Sequence, residues 1–468
     1  MIELRFFGAD RMTTGSCHCI RFSGGRVLLD CGLFQGRRKE TWKKNSVFPF
    51  DAAGIDAAVL SHAHIDHSGR LPLLVRDGFR GAIHATAPTH DLCEVMLLDC
   101  AHILEKDAEF LNRRRKKNHL KGEEVEALYC TGDVEKTMNR FVAHRYGEWF
   151  EPAAGLRIRF HDAGHILGSA WVEAEIREGE RTVRLVFTGD HGRKGMPILR
   201  DPEPLCAADV YISESTYGNR LHPDLSGMEA ELAAAVDRLR RRGRGRLLIP
   251  AFAVGRTQNL LYSLGRLFRN GAGPPIPVVV DSPMAAKATE VVARHREVFD
   301  QEALAELPVG PHGPEFCPGV RFTHSVDESK GLNAHPGPLI LLSASGMMES
   351  GRILHHLAWG VGREETEILV VGFQAQHTLG RRLLEGAREV NILGRRHEVR
   401  ARVTAMLGFS AHADRNDLLA ALAPHAQEAE TLFLVHGEDD QRRPLAEELA
   451  RRGFARIEEP VERQAFRI

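Results

Sequence analysis

Short apolar runs, each broken by glycine or by a polar cluster, occupy the first part of the chain, and their alternation predicts strands. Residues 3–7, 18–22 and 26–29 alternate in this way. Gly24-Gly25 separates the second run from the third, so a hairpin is predicted that ends at Asp30-Cys31-Gly32. The apolar stretch Ala57-Ala58-Val59-Leu60 predicts another strand, and residues 70–76 and 89–106 carry helical spacing through Leu92, Val95, Met96 and His102. From residue 157 the strand pattern returns; the run 183–187 ends in Thr188-Gly189-Asp190 and the run 209–213 ends in Glu214-Ser215-Thr216-Tyr217-Gly218-Asn219-Arg220.

The pattern then changes to strands alternating with helices. Helices are predicted over 227–242, 256–267, 284–299 and 353–358, and strands over 246–249, 277–280, 338–342 and 367–371. Such alternation predicts a parallel, doubly wound sheet, and this block reads as a domain of its own. Three of its strand ends open helices through small or polar residues, which makes Arg256, Ser282, Ser343, Ser345 and Gly346, with Arg220 before the block, candidate phosphate contacts. Ordinary helix caps and tight turns account for the same residues. In the final segment short strands with polar ends come back. Phe409-Ser410-Ala411-His412-Ala413-Asp414 precedes a helix over 418–422, and a strand over 431–435 ends in His436-Gly437-Glu438 before a helix over 444–452.

A length of 468 residues exceeds what one hydrophobic core supports, so two or three domains are expected. The net charge of −1 excludes a global field for polyanions, and any nucleic acid must meet local basic patches. The run of residues 112–121, which includes Arg113 to Lys117, is one such patch; a solvated helix end and a phosphate-facing role both fit it. No apolar run approaches the roughly 20 residues of a membrane span and the first residues lack a signal-peptide pattern, so a cytoplasmic protein without membrane contact is expected. The eight cysteines include no Cys-x-x-Cys pair, which argues against a disulfide framework or a zinc ribbon.

The chemistry concentrates in Ser61-His62-Ala63-His64-Ile65-Asp66-His67, directly after a predicted strand. Histidines and a carboxylate are the borderline ligand set that zinc favours. The four ligands cannot all reach one tetrahedral ion, because His62 and His64 share one strand face while Asp66 and His67 lie farther round the turn, so two adjacent ions are expected. His165, Asp190 and His436 stand at the same kind of strand-end position.

Taken in order, Asp30, the cluster His62, His64, Asp66 and His67, then His165 and Asp190 resemble the motifs of the metallo-β-lactamase superfamily. Glu214, His412 and His436, in their surrounding stretches, resemble the three additional motifs of its β-CASP RNA nucleases, in the pattern of the bacterial and archaeal relatives of the cleavage and polyadenylation specificity factor nuclease subunit. The resemblance implies an α/β fold, an αββα sandwich interrupted by a parallel-sheet β-CASP domain. The expected boundaries are 1–218 and 405–468 for the two parts of the sandwich and 219–404 for the insert. It further implies two zinc ions, with His62, His64 and His165 on one, Asp66, His67 and His436 on the other, and Asp190 bridging.

On this reading His412 is the general acid, Glu214 holds it, and Asp30 orients a ligand histidine. The expected activity is zinc-dependent hydrolysis of single-stranded RNA by endonuclease action, with 5′-to-3′ exonuclease action as a second mode, in RNA processing or decay. A homodimer is carried as an expectation. The alternatives are a β-CASP DNA nuclease and a small-molecule metallo-hydrolase of the same superfamily.

Overall fold

The computed structural model describes residues 1–36, 38–118, 124–271, 275–310, 313–372, 374–406 and 408–468. The chain divides into two compact units, one of Met1–Lys194, Asp201–Leu221 and His412–Ile468, the other of Gly195–Arg200 and His222–Ala411.

The first unit carries two seven-stranded sheets. One runs in the order Ala465–Arg467, Glu3–Phe6, His18–Phe22, Gly25–Leu29, Ala57–Val59, Ala82–Thr86 and Phe141–His144. The other runs Ile457–Glu458, Thr431–Val435, Val210–Glu214, Arg181–Phe187, Ala170–Glu178, Leu156–Asp162 and Trp149–Ala153. Alternate residues of both sheets, among them Leu4, Ile20, Val27, Val59, Ile158, Val172, Leu185, Ile212 and Phe433, form one buried cluster, so the sheets face each other across a common core. That alternation is what the period-2 pattern of the sequence encodes. A second cluster, with Trp171, Tyr211, Leu418, Leu434 and Leu445, covers the outer face of the second sheet with the helices Arg415–Leu422 and Asp439–Arg451.

The second unit holds a six-stranded sheet in the order Arg321–Phe322, Val278–Asp281, Leu339–Ser343, Arg246–Pro250, Thr366–Val371 and Arg402–Met406, every pair within it parallel. Its central strands are buried along their whole length, as a sheet covered on both faces requires. The edge strand Arg402–Met406 pairs with Thr366–Val371, which carries this unit past residue 404 to Ala411.

At the end of the strand Val278–Asp281 sits a fully buried carboxylate. Asp281 Oδ1 accepts from Arg352 Nη1 at 2.7 Å and from the Thr323 hydroxyl, while Oδ2 accepts from Ser329 Oγ and lies 2.6 Å from His356 Nε2. Burial alone would raise its pKa, but the bonds from His356, Ser329, Thr323 and Arg352 outweigh burial and hold it well below the usual carboxylate range. A depressed folded-state pKa stabilises the fold above the ordinary value of about 4 and loses that contribution as the pH falls through it. Asp281→Ala is therefore expected to cost about 3–5 kcal/mol near neutral pH. Denaturant unfolding of wild type and variant should show the gap narrowing toward pH 3, and a gap of constant size would rule the network out as its source.

Among the described residues no helix is long and apolar enough to cross a membrane. The helix predicted over 89–106 is longer than its pattern suggested, Ala87–Lys117, and its last buried residue is Ala101. His102, counted with the apolar positions of that pattern, is exposed, as is Ile103 beside it.

Candidate metal centre

Three neighbouring parallel strands set up half of the site. Arg181–Phe187, Val210–Glu214 and Thr431–Val435 run side by side in the same direction, so the residues at or just past their C-terminal ends, Asp190, Glu214 and His436, come together. The other half comes from the opposite sheet: beyond Ala57–Val59 the chain passes through His62 and turns into the one-turn helix Ile65–Ser68, with His64 as its N-cap. Gly32 allows this turn to approach, since a Cβ there would stand 1.6 Å from the carbonyl oxygen of Asp66. His165 arrives from the loop between Leu156–Asp162 and Ala170–Glu178, where the hydroxyl of Ser169 accepts its backbone N–H.

The side chains form two groups that share Asp190. In the first, His62 Nε2 lies 3.1 Å from His64 Nδ1, which lies 3.2 Å from His165 Nε2. Asp190 Oδ2 is 3.4 Å from His62 Nε2 and 3.5 Å from His165 Nε2. In the second, His67 Nε2 is 3.2 Å from both His436 Nε2 and Asp190 Oδ1, and Asp66 Oδ2 is 3.6 Å from His436 Nε2. One carboxylate thus turns one oxygen to each group.

The surrounding hydrogen bonds assign the imidazole protons. Asp30 has no proton to give, so the 2.6 Å contact of its Oδ2 with His67 is a bond donated by His67 Nδ1. The Ser61 hydroxyl donates to Asp30 and so accepts from His62 Nδ1, and the Thr216 hydroxyl donates to the His436 carbonyl and so accepts from His436 Nδ1. The Nε2 atoms of His62, His67 and His436 are left with lone pairs pointing inward. Two of these lone pairs face each other at 3.2 Å, between His67 and His436. That arrangement is repulsive unless a proton or a metal ion stands between them, and two donors on one tetrahedral zinc ion lie roughly 3.3 Å apart. Asp190 Oδ1, buried and without a hydrogen-bond partner among the described residues, points to the same conclusion. The residues therefore fit a metal centre.

Burial and the neighbouring His62 push His64 down to about 3, and burial also lowers His165, so both imidazoles are neutral donors. His412 behaves in the opposite way. Burial would lower it, but Glu214 and Asp190 outweigh burial and push it up to about 9. Its Nδ1 is 3.2 Å from Glu214 Oε2, and Glu214 is fixed in turn by the backbone N–H of His191 at 2.5 Å. With 22% of its side chain exposed, His412 lies at the open margin of a site in which His62, His67, His165 and His436 are almost fully covered.

The backbone is strained at two of these positions. Asp30 (φ 60°) and His436 (φ 51°) adopt the left-handed conformation that glycine favours, each directly after a strand. In both cases the turn redirects a polar side chain out of the sheet and into the cluster.

The structure brings together every residue proposed from sequence as a ligand, along with Asp30, Glu214 and His412. Ser16, Ser61 and Thr216, which orient them, were missed, although Ser61 and Thr216 stand next to the quoted motifs. Of the phosphate candidates, Arg220 belongs to the first unit, with its Nη2 3.7 Å from Asp440, and its carbonyl accepts from the Arg415 N–H. The others lie in the second unit. There Ser282 is buried and its hydroxyl caps the helix Pro283–Arg294 by accepting from Ala285 N, and the buried Ser343 donates to the Asp281 carbonyl. The Arg256 guanidinium donates to the Val371 carbonyl, Ser345 accepts from the N–H groups of Glu349 and Ser350, and the Gly346 carbonyl accepts from Gln374.

Three family models match the chain: the metallo-beta-lactamase superfamily over residues 12–90, the Beta-Casp domain over 257–383, and the Zn-dependent metallo-hydrolase RNA specificity domain over 396–459. Ribonuclease TTHA0252 of Thermus thermophilus is 37% identical over 448 residues, 96% of each chain. Transcription termination factor FttA of Methanothermobacter thermautotrophicus is 30% identical over 476 residues, which cover 100% of this chain and 72% of the relative. A crystal structure of a protein of unknown function from Enterococcus faecalis shares the fold, with a TM-score of 0.55 at 12% identity over 99% of both chains.

Proposed function

We propose, since this chain belongs to the β-CASP family of the metallo-β-lactamase superfamily, that it is a zinc-dependent ribonuclease that hydrolyses single-stranded RNA in the cytoplasm. The observation that carries the reading is Asp190, one carboxylate whose two oxygens face two separate groups of inward-pointing imidazole nitrogens. His62, His64 and His165 would hold one ion, Asp66, His67 and His436 a second, and Asp190 both. When bound, a zinc pair acidifies water and neutralises charge on a phosphodiester.

The chain's own residues supply the rest. Asp30 orients His67 directly and His62 through Ser61, and Thr216 orients His436. Glu214 holds His412 as a cation near neutral pH. A proton is thereby available at the margin of the site for the 3′ oxygen as its bond to phosphorus breaks, which leaves a 3′-hydroxyl and a 5′-phosphate.

RNA as the substrate is supported by the name of the relative from Thermus thermophilus, which matches along nearly the whole chain. The test is to incubate RNA labelled at either end, and DNA of the same sequence, with the protein with and without chelator. Cleavage of RNA that chelator abolishes is the expected result. DNA cleaved as fast or faster would move the reading to a DNA nuclease, and inertness toward both would move it to a small-molecule hydrolase.

A further inference from the structure

The outer half of the helix Ala87–Lys117 takes no part in the metal centre and contributes nothing to the core. Beyond Ala101 none of its residues is buried, so 102–117 extend about 24 Å past its last core contact. This stretch holds Glu105, Asp107 and Glu109 against Lys106, Arg113, Arg114, Arg115, Lys116 and Lys117, a surplus of three positive charges on a chain whose net charge is −1. Its ion pairs include three exposed ones, Lys106 with Glu109 at 3.3 Å, Arg113 with Glu109 at 3.9 Å and Lys116 with Glu124 at 3.0 Å. Such pairs are weak and yield readily to a competing anion.

Cations at a helix C-terminus stabilise the helix, and that alone would account for Arg114 to Lys117 in the last turn. It does not account for the rest of the stripe. Ile103 and Phe110, each 54% exposed, are seven residues apart, and Phe110 precedes Arg113, Arg114 and Lys117 by three, four and seven. These spacings place the phenyl ring on the same helix face as the guanidinium and ammonium groups. An exposed aromatic beside clustered cations is the composition of a single-strand contact, with phosphates on the cations and a base on the ring. A second copy of the chain would bring the same positive surplus against this one, so charge favours a polyanion over self-association.

We propose that the outer half of this helix is an RNA-anchoring surface, where Arg113, Arg114, Lys116 and Lys117 take backbone phosphates and Phe110 takes a base. The inference rests on the ribonuclease reading and adds to it a place where RNA is held outside the metal centre. Residues 119–123, which continue the basic run, lie outside the described residues.

The test uses the full-length, zinc-loaded protein with all four cations changed to glutamine, which preserves helix propensity, and separately with Phe110→Ala. KM and kcat are measured on a short and a long RNA between about 50 and 200 mM salt. The anchor predicts that wild type prefers the long substrate and that the four-fold variant loses the preference through KM, raised roughly tenfold on long RNA, with kcat little changed. It also predicts a salt dependence shallower by roughly 0.7 for each phosphate contact removed, and Phe110→Ala should show the KM effect without the change in slope. Identical slopes and an intact length preference in the four-fold variant would overturn the proposal. So would an unchanged slope accompanied by a shift from dimer to monomer in sedimentation, which would make the helix a self-association surface. If wild type cleaves neither RNA, the ribonuclease reading itself fails, an outcome that the variants do not enter.

Discussion

Asp190→Ala protein is expected to come off the column with most of its zinc gone and with cleavage reduced by at least about 10³-fold. The carboxylate is the sole group with one oxygen in each ligand set among the described residues, and its loss leaves two ligand sets that share no anion. Metal-ion stabilisation of a phosphoryl transition state amounts to several kcal/mol, which sets the lower bound on the rate loss. The measurement is elemental analysis of metal per chain beside the cleavage rate, with circular dichroism to show that the fold persists. Wild type is expected to hold two ions; a single ion in fully active wild type would end the binuclear reading, and a variant that keeps both would show that Asp190 does not bridge.

His412→Ala is expected to behave differently: zinc retained, turnover down by about 10² to 10⁴. His412 contacts Glu214 and approaches Asp190 only to 3.8 Å, and its position at the exposed margin suits proton delivery better than coordination. A group whose pKa is raised is protonated below that value, so a step that needs its proton slows as the pH rises through it. With cations bound at Asp190 that carboxylate's contribution is cancelled, which places the alkaline limb of the wild-type rate profile below about 9. The variant should lose that limb together with its rate. Loss of zinc from His412→Ala would instead make His412 a ligand and would require His412 and His436 to exchange roles.

The metal centre was legible in the sequence because its chemistry is dense where it starts: four potential ligands in six residues cannot be satisfied one by one in a core. The later ligands were legible only by analogy of position, each after an apolar strand. What was not legible was which hydroxyls direct them, since Ser16 and Thr216 look like any turn residue until the chain brings them to Asp30 and His436. The Asp281 network was invisible for a similar reason. Its partners lie 42, 48, 71 and 75 residues away, so no local spacing records it. Ser282 and Ser343 could be read two ways in the sequence because a helix start that binds an anion and one capped by its own side chain have the same composition.

The first unit is assembled from both ends of the chain, and its strand Ala465–Arg467 lies against Glu3–Phe6. During synthesis His62 to Asp190 leave the ribosome early, whereas His412 and His436 follow only after the second unit has been made, roughly ten to forty seconds later at ordinary translation speeds. Until then the nascent chain carries ligands for one ion but neither the proton donor nor the edge strand that closes its first sheet. A chain that stalls within the second unit is therefore silent toward the transcripts around it, its own messenger included.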